Sequence, residues 1–594
     1  MRSYRAPEIV TVAPTARLTD SVVERSATTP DAHSFSRKAG ELWEQISAAQ
    51  FHAEVSRLAA GLIAAGIGRG DRVALMCRTR YEWTLADYAI WTAGAITVPV
   101  YETSAAEQAA WILSDSEAVA VIVETQRHAS LVEQVRTDLP SLRELWQIDA
   151  GDLDRLGERG TEVPAATVEE RRTSVSADDL ATIIYTSGTT GRPRGCELTH
   201  HNLLYEGKSV TMAGREVFVG TTLLLLPLAH VFARAIQVSC VLAGIPLGHV
   251  PDARNAAPDI AATGPSFLLA VPRVFEKIYN NAQAKANEAG KGKIFAQAAD
   301  VAAAYSRASE SGRVPLKLRA RHALFDRLVY GKIRTALGGQ LRYAISGGAP
   351  LAPHIAHFFR GAGVTVLEGY GLTETSGGIT LNLPGAQKIG SVGRPIAGNE
   401  VAVTDEGDIL LRGPIVFRRY WRQEQATSEA LDSDGWLHTG DIGSLDDDGF
   451  LTITGRRKEL IVTAGGKNVA PALLEDRLRS HPLISQCMVV GDQRPYVACL
   501  ITVDPDAWPV WKRANGKPAD ATLADLRDDP DLLAELQAGV EQANSVVSHA
   551  EGIKRFRILD TDWTEEGGQI TPSLKIKRNV VLAEFAGDIE AIYS

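Results

Sequence analysis

Cysteine is scarce. Cys77, Cys196, Cys240, Cys487 and Cys499 are the only five in 594 residues, and no two form a C-x-x-C pair. They imply neither a disulfide framework nor a zinc site, and a reducing cytoplasm suits them. Positive charge is also in deficit: 62 Lys and Arg face 72 Asp and Glu, for a net charge of -10 and a pI near 5.8. That balance argues against sequence-independent nucleic-acid binding. The first residues hold no apolar core of signal-peptide length. Long hydrophobic runs are missing as well. The most apolar stretch, 223–250, is broken by Pro227, His230, Arg234 and Pro246, well short of the roughly 18 residues of a membrane span. It reads as a buried helix or pocket wall, while peripheral membrane contact and a homodimer stay open. Repeats and low-complexity segments are absent too.

What is present is an ordinary globular composition, 45% hydrophobic and 23% charged, on a chain too long for a single core. The first part alternates strands and helices. FHAEVSRLAAGLIAAG puts Phe51, Val55, Leu58 and Leu62 on one helical face. GIGRGD follows a helix and precedes the strand RVALMC, the reverse of a dinucleotide fingerprint, so it is a turn. YEWTLADYAIWTAGA reads as a helix, and ITVPVY, AVAVIVE, SFLLAVP, LRYAIS and VTVLEGYG as strands; 282–328, rich in Ala, Lys and Arg, reads as helical. This predicts α/β layers with largely parallel sheet. From about Glu400, dense Asp-Gly pairs predict an antiparallel, barrel-like piece. Beyond Gly455 a smaller α+β unit follows, with a helix over 472–480 and strands QCMVVG and YVACLITV.

Four separated clusters combine donors for phosphate, acceptors for ribose and a carboxylate for a metal. In 185–195, YTSGTTGRPRG, the hydroxyls of Thr186, Ser187, Thr189 and Thr190 surround Gly188 and Gly191, with Arg192 and Arg194 next. The Gly-Lys-Ser/Thr of a P-loop is missing, yet hydroxyls, N–H groups and glycines suit phosphate oxygens. Alone, the segment is equally a surface turn. SGGAP (346–350) and EGYGLTET (368–375) each follow a strand, where α/β proteins place ligands. In the latter Tyr370 offers a flat face, Thr373 a hydroxyl and Glu374 an oxygen ligand for Mg2+, although Thr373 and Glu374 could simply cap a helix. Asp441 in HTGDIG could accept from two ribose hydroxyls and Arg456 in TGRRKEL could donate to ribose or phosphate; singly, Asp441 is a turn aspartate.

Together these clusters resemble the adenylate-forming superfamily: acyl-CoA synthetases, beetle luciferases and the adenylation domains of peptide synthetases. Seven motifs match in order over nearly the whole chain: YTSGTTGRPRG, PLAH, SGGAP, GYGLTET, GWLHTGD, GRRKEL and TPSLKIKR. The resemblance implies a large N-terminal domain over 1–454 and a small, mobile C-terminal lid over 455–594. It implies a carboxylate attacking the α-phosphorus of ATP, then a thiol displacing AMP. Joining two anions needs cations and donors around the phosphates. Glu374 would hold Mg2+, Thr373 would contact the α-phosphate, and Thr186, Ser187, Gly188, Thr189, Thr190 and Arg194 would grip the outer phosphates. Tyr370 and Gly348 would flank adenine, beside Gly347, Ala349 and Gly371, with Asp441 and Arg456 on ribose. Lys575 matches the catalytic lysine, Lys577 being a rival in register; a solvated surface charge is the plain alternative. Lys458 matches the hinge. Gly465 and Gly466 would border a pantetheine tunnel or form only a hairpin turn.

Substrate class follows from what the pocket helix lacks. Members that activate amino acids place an aspartate there, and 228–247 holds no acidic residue. A buried, unpaired ammonium would cost several kcal/mol. Nineteen residues after Lys575 are too few for a carrier domain, which leaves free coenzyme A as the expected acceptor. PLAHVFAR, VPRVFEKIYN, the helical insertion after it, TAGGKNVAP and TPSLKIKR look most like bacterial long-chain fatty acyl-CoA synthetases, with actinobacterial members nearest. His230 would then line the acyl pocket, or be a satisfied core histidine. Two departures stand out. Arg234 occupies the place of a tryptophan gate found in some long-chain members, and Arg194 stands where lysine is usual, keeping charge but adding a planar fork of donors. Glu459 replaces a common aspartate with charge retained.

Overall fold

The computed structural model describes residues 1–40, 42–186, 192–252, 256–571 and 575–594. Two sheets carry the parallel strands. In the six-stranded one, Glu144–Gln147, Ala120–Val123, Arg72–Met76, Ile96–Val100 and Leu180–Thr186 run parallel, and Arg194–Thr199 closes an edge antiparallel. Its strands are apolar on both faces because each face meets a different core. Val73 and Leu75 pack with helices Ala48–Ala64 and Tyr81–Thr92, whereas Ala74 and Met76 pack with Ala106–Asp115 and Gln126–Gln134. Strand alternation alone produces this split. Helix Ala48–Ala64 starts where it does because Ser47 and Gln50 form a reciprocal capping box. Phe51, Val55, Leu58 and Leu62 are its buried stripe, as the spacing predicts.

The nine-stranded sheet sets the site. Thr365–Tyr370, Tyr343–Ser346, Phe267–Ala270, Thr222–Leu224, Leu247–His249 and His33–Ala39 are successive parallel neighbours. Short antiparallel strands finish both edges. The apolar stretch 223–250 is thus strand, helix Val231–Ala243 and strand, not one long helix. Among the described residues no helix is long and apolar enough to cross a membrane.

Past Glu400 an antiparallel five-stranded sheet forms, and it ends with strand Leu451–Arg456. Its outer strand is Arg2–Arg5, paired with Glu400–Val403, a long-range pairing that local pattern does not announce. The C-terminal part has its own core of Ile484–Val490, Val497–Val503 and Ile553–Ile558 with helices Pro471–Arg479 and Pro530–Asn544. The helical reading of 282–328 resolves into Pro272–Glu288, Gly292–Glu310 and Leu316–Phe325. Ion pairs tie the first of these to the C-terminal part: Arg273–Asp504 at 2.9 Å, Lys277–Asp506 at 3.3 Å and Glu288–Arg513 at 3.3 Å.

Candidate active site

The C-terminal ends of Tyr343–Ser346 and Thr365–Tyr370, the antiparallel sheet and the C-terminal part converge on a cleft of about 2440 Å³. Asp441 lies opposite Arg456 in the ladder between Leu437–Leu445 and Leu451–Arg456. Its Oδ1 is 2.9 Å from Arg456 Nε, and its Oδ2 accepts from the Tyr370 hydroxyl at 2.6 Å. Burial and the adjoining carboxylate push the Tyr370 phenol well up, so it stays a donor. Asp441 is buried and held at both oxygens, yet each oxygen keeps a lone pair for a further donor.

Glycines admit close approach in two places. Gly348 has φ +84°, and a Cβ on Gly371 would lie 1.5 Å from the Gly377 carbonyl. Gly347 and Ala349 line the same wall, and Gly347 backs onto the Phe232 ring. Thr373 and Glu374 open a 3-10 turn, but the hydroxyl that caps it belongs to Thr375, which accepts from the Leu372 N–H at 2.8 Å. Thr373 and Glu374 therefore face the cleft without a capping duty. Glu374 Oε1 accepts from the Tyr420 hydroxyl at 2.6 Å.

Lys575 comes from the C-terminal part, where its backbone is hydrogen-bonded to Thr571. The Lys575 N–H donates to the Thr571 hydroxyl at 3.0 Å and the Thr571 N–H to the Lys575 carbonyl at 2.8 Å. Lys575 is exposed and lines the cleft. Desolvation, then Arg456, lower the ammonium's pKa; Asp441, Glu459 and Glu374 oppose them. Lys577 also lines the cleft; Lys575 is the lysine whose charge is felt by both Arg456 and His230. His230 caps helix Val231–Ala243, its Nδ1 accepting from the Phe232 N–H at 3.2 Å. Burial, with Lys575 adding to it, pushes the ring down to about 4. At neutral pH it is therefore uncharged, with its proton on Nε2.

Other expectations fare differently. Ser187, Gly188, Thr189 and Thr190 lie outside the described residues. What is described is the hairpin that carries them, Leu180–Thr186 paired with Arg194–Thr199. Thr186 lines the cleft, and so does Arg192, over the Trp111 ring at 4.6 Å. Arg194 instead sits behind, 5.7 Å over the ring of Tyr420, and so reaches Glu374 through that tyrosine. Gly465 and Gly466 form an exposed hairpin turn between Ile461–Val462 and Asn468–Val469, away from the cleft. Lys458, in the turn Arg457–Glu459, is exposed at the cleft's edge. Arg234 is no gate: it is fully buried, 2.6 Å from Asp87, and lies between Trp83 and Trp91.

Sequence reasoning missed Tyr420, Thr571, Glu206 and Glu368, and it named Arg192 in the loop but gave the phosphate role to Arg194. Tyr420 and Thr571 act through backbone neighbours or distant partners, which no local motif marks. Glu368 stood inside a recognised motif without a role; burial raises it to about 7 while the Leu351 and Gly390 N–H groups pull it down. Glu206 comes from the neighbouring helix His200–Ala213, so the acid-free stretch 228–247 is not the whole wall. Its Oε1 accepts from the Gly378 N–H at 2.9 Å, Oε2 has no partner among the described residues, and burial raises the carboxyl well above its usual range.

A family model described as AMP-binding enzyme matches residues 22–421, and one described as AMP-binding enzyme C-terminal domain matches 458–594. The chain belongs to the AMP-binding enzyme family. Within that family it is 50% identical over 599 residues to the long-chain-fatty-acid--CoA ligase FadD15 of Mycobacterium bovis, covering 100% of both chains. The solved adenylation domain of a carboxylate reductase from Mycobacterium chelonae superposes with a TM-score of 0.77 at 20% identity, covering 98% of this chain and 92% of that one. A Mycobacterium tuberculosis fatty acyl CoA synthetase gives 0.62 at 24% identity, with 96% and 99% covered. The adenylate-forming fold, α/β layers with a curled antiparallel sheet and a small C-terminal unit, is common to them.

Proposed function

We propose that this chain is a long-chain fatty acid–CoA ligase that forms AMP. The fatty carboxylate attacks the α-phosphorus of ATP, the bond to the β-phosphate oxygen breaks, and pyrophosphate leaves. The thiol sulfur of coenzyme A then attacks the acyl carbon, its proton is lost to solvent, and AMP leaves. The observation that carries this reading is the position of Lys575, within electrostatic reach of Asp441, Arg456, Glu374 and His230. In the first step two anions must meet, and an ammonium at their junction lowers that repulsion. Thr373 is poised to donate to the α-phosphate, and Asp441 with Arg456 to hold ribose. Tyr370, Gly347, Gly348, Ala349 and Gly371 would frame the base, and Thr186 and Arg192, with Arg194 behind, the outer phosphates.

Magnesium enters with ATP as part of the substrate. Among the described residues no group of three acidic, histidine or cysteine ligands could form a metal cage. A single carboxylate, Glu374, fits a Mg2+ that keeps phosphate and water as its other ligands. The neutral His230 ring would donate from Nε2 towards the acyl carboxylate without adding charge. The division at 454/455, with Lys458 as pivot, belongs to the same proposal: the second step would bring Gly465 and Gly466 from the exposed turn to the cleft. AMP release, followed with a panel of short to long fatty acids, tests the reading. Turnover that rises with chain length and requires free coenzyme A supports it; pyrophosphate exchange without coenzyme A-dependent turnover would make the chain a ligase for a carrier protein instead.

A further inference from the structure

One helix has its residues the wrong way round for a globular surface. Leu316–Phe325, in the helical insertion, packs inward through Leu318 and Phe325, together with Val329 from the turn that follows. On its outer side Leu316, Ala320, Leu324 and Leu328 recur every four residues, and all are exposed. The leucines are 81%, 56% and 47% accessible, among the most exposed large apolar side chains in the described protein. Scattered apolar residues on a surface need no account, but an aligned row does.

Charge marks the same element. From 313 to 332 the chain has six cations, Arg313, Lys317, Arg319, Arg321, Arg327 and Lys332, against one acid, Asp326. All six are exposed, and none takes part in an ion pair among the described residues. Asp326 is already matched by Arg334 at 2.7 Å. The molecule as a whole carries -10, so this is a local reversal of sign. At about 100° per residue, Lys317 and Arg321 flank the leucine row on one side and Arg319 on the other. Apolar centre and cationic rims are the arrangement of a helix lying in a lipid interface, the stems extending along acyl chains while the charges reach the headgroups.

We propose that the outer face of Leu316–Phe325, continued through Leu328, docks on an anionic lipid bilayer. A second copy of the same face is a poor occupant, because it would bring cations against cations. The leucines stand on the outer side of a helix rather than in a groove, which suits a deformable apolar medium. The surface is separate from the cleft residues, so docking and turnover can be measured apart.

Sedimentation of the full-length protein with vesicles tests this. One set is phosphatidylcholine alone and the other contains about 30% phosphatidylglycerol, in low and high salt. The protein should sediment with the anionic vesicles only, and less so in high salt. Lys317→Glu with Arg321→Glu should weaken binding at least 25-fold, about fivefold for each cation removed. Leu316→Ser, Leu324→Ser and Leu328→Ser together should weaken it about tenfold while leaving AMP release with a short, freely soluble fatty acid unchanged. Equal binding to neutral vesicles, no binding to anionic ones, or binding indifferent to both variants would overturn the proposal. So would self-association in solution that the leucine variant abolishes.

Discussion

Helices Val231–Ala243 and Leu316–Phe325 use the same residue types to opposite ends. The first buries its arginine completely: Arg234 pairs with Asp87, also reaches Thr182, and is sandwiched by Trp83 and Trp91. The second exposes its arginines and its leucines alike. Helix propensity does not distinguish them. The difference lies in what the tertiary structure offers: a carboxylate at 2.6 Å in the first case, water in the second. A guanidinium can leave water only where its charge is met.

The largest effect should come from breaking the buried pair. Asp87→Ala leaves Arg234 charged and alone, and should cost about 3–5 kcal/mol, read as a lowered urea midpoint. A shift under half of that lower bound would mean water reaches Arg234. Lys575 is a third case, an exposed cation lining the cleft. Lys575→Ala should lower ATP–pyrophosphate exchange about 10²–10³-fold, while synthetic acyl-AMP plus coenzyme A still reacts; an equal loss in both halves would contradict the division of labour proposed for the domain faces.

Buried carboxyls without a cation extend the comparison. Glu368 is raised from 4.5 to about 7 by burial. Its folded-state pKa lies above the unfolded one, so its contribution to stability is full below about 4.5 and is lost as pH rises through about 7. At 1.36 kcal/mol per unit that amounts to about 3 kcal/mol. Denaturation midpoints should fall between pH 5 and 8 in the native protein and much less in Glu368→Gln. Glu206→Gln, which keeps the side chain's shape, should change fatty-acid turnover less than about threefold; a collapse of activity would mean that an ionised Glu206 pairs with a substrate cation, against the fatty-acid reading. The smallest effect belongs to the exposed helix, where Leu324→Ser should stay within about 0.5 kcal/mol in stability.

Much of this was legible beforehand. The strands RVALMC, ITVPVY and LRYAIS and the helix from Phe51 have strong periods, and each forms where the pattern puts it. Tyr370, Glu374, Asp441 and Arg456 stood out because their motifs lie just past a strand or in a turn, and Lys575 because TPSLKIKR resembles a motif of the adenylate-forming superfamily. The less legible residues depend on partners far along the chain. Tyr420 matters through Glu374, 46 residues away, and Arg234 through Asp87, 147 away. Arg192 and Arg194 could not be told apart by charge; their different aromatic seats separate them.

The amino-acid order alone determined the alternation of strand and helix, the places where the backbone needs glycine, and which hydroxyls, carboxylates and cations are available near phosphate. Those follow from local sterics and short-range period. Tertiary structure decided which charges leave water, which arginine faces the cleft, and that Lys575 and not the Gly465–Gly466 turn points into it. Each of these is set by neighbours brought together from distant segments, and desolvation and Coulomb energy depend on that distance rather than on position in the chain.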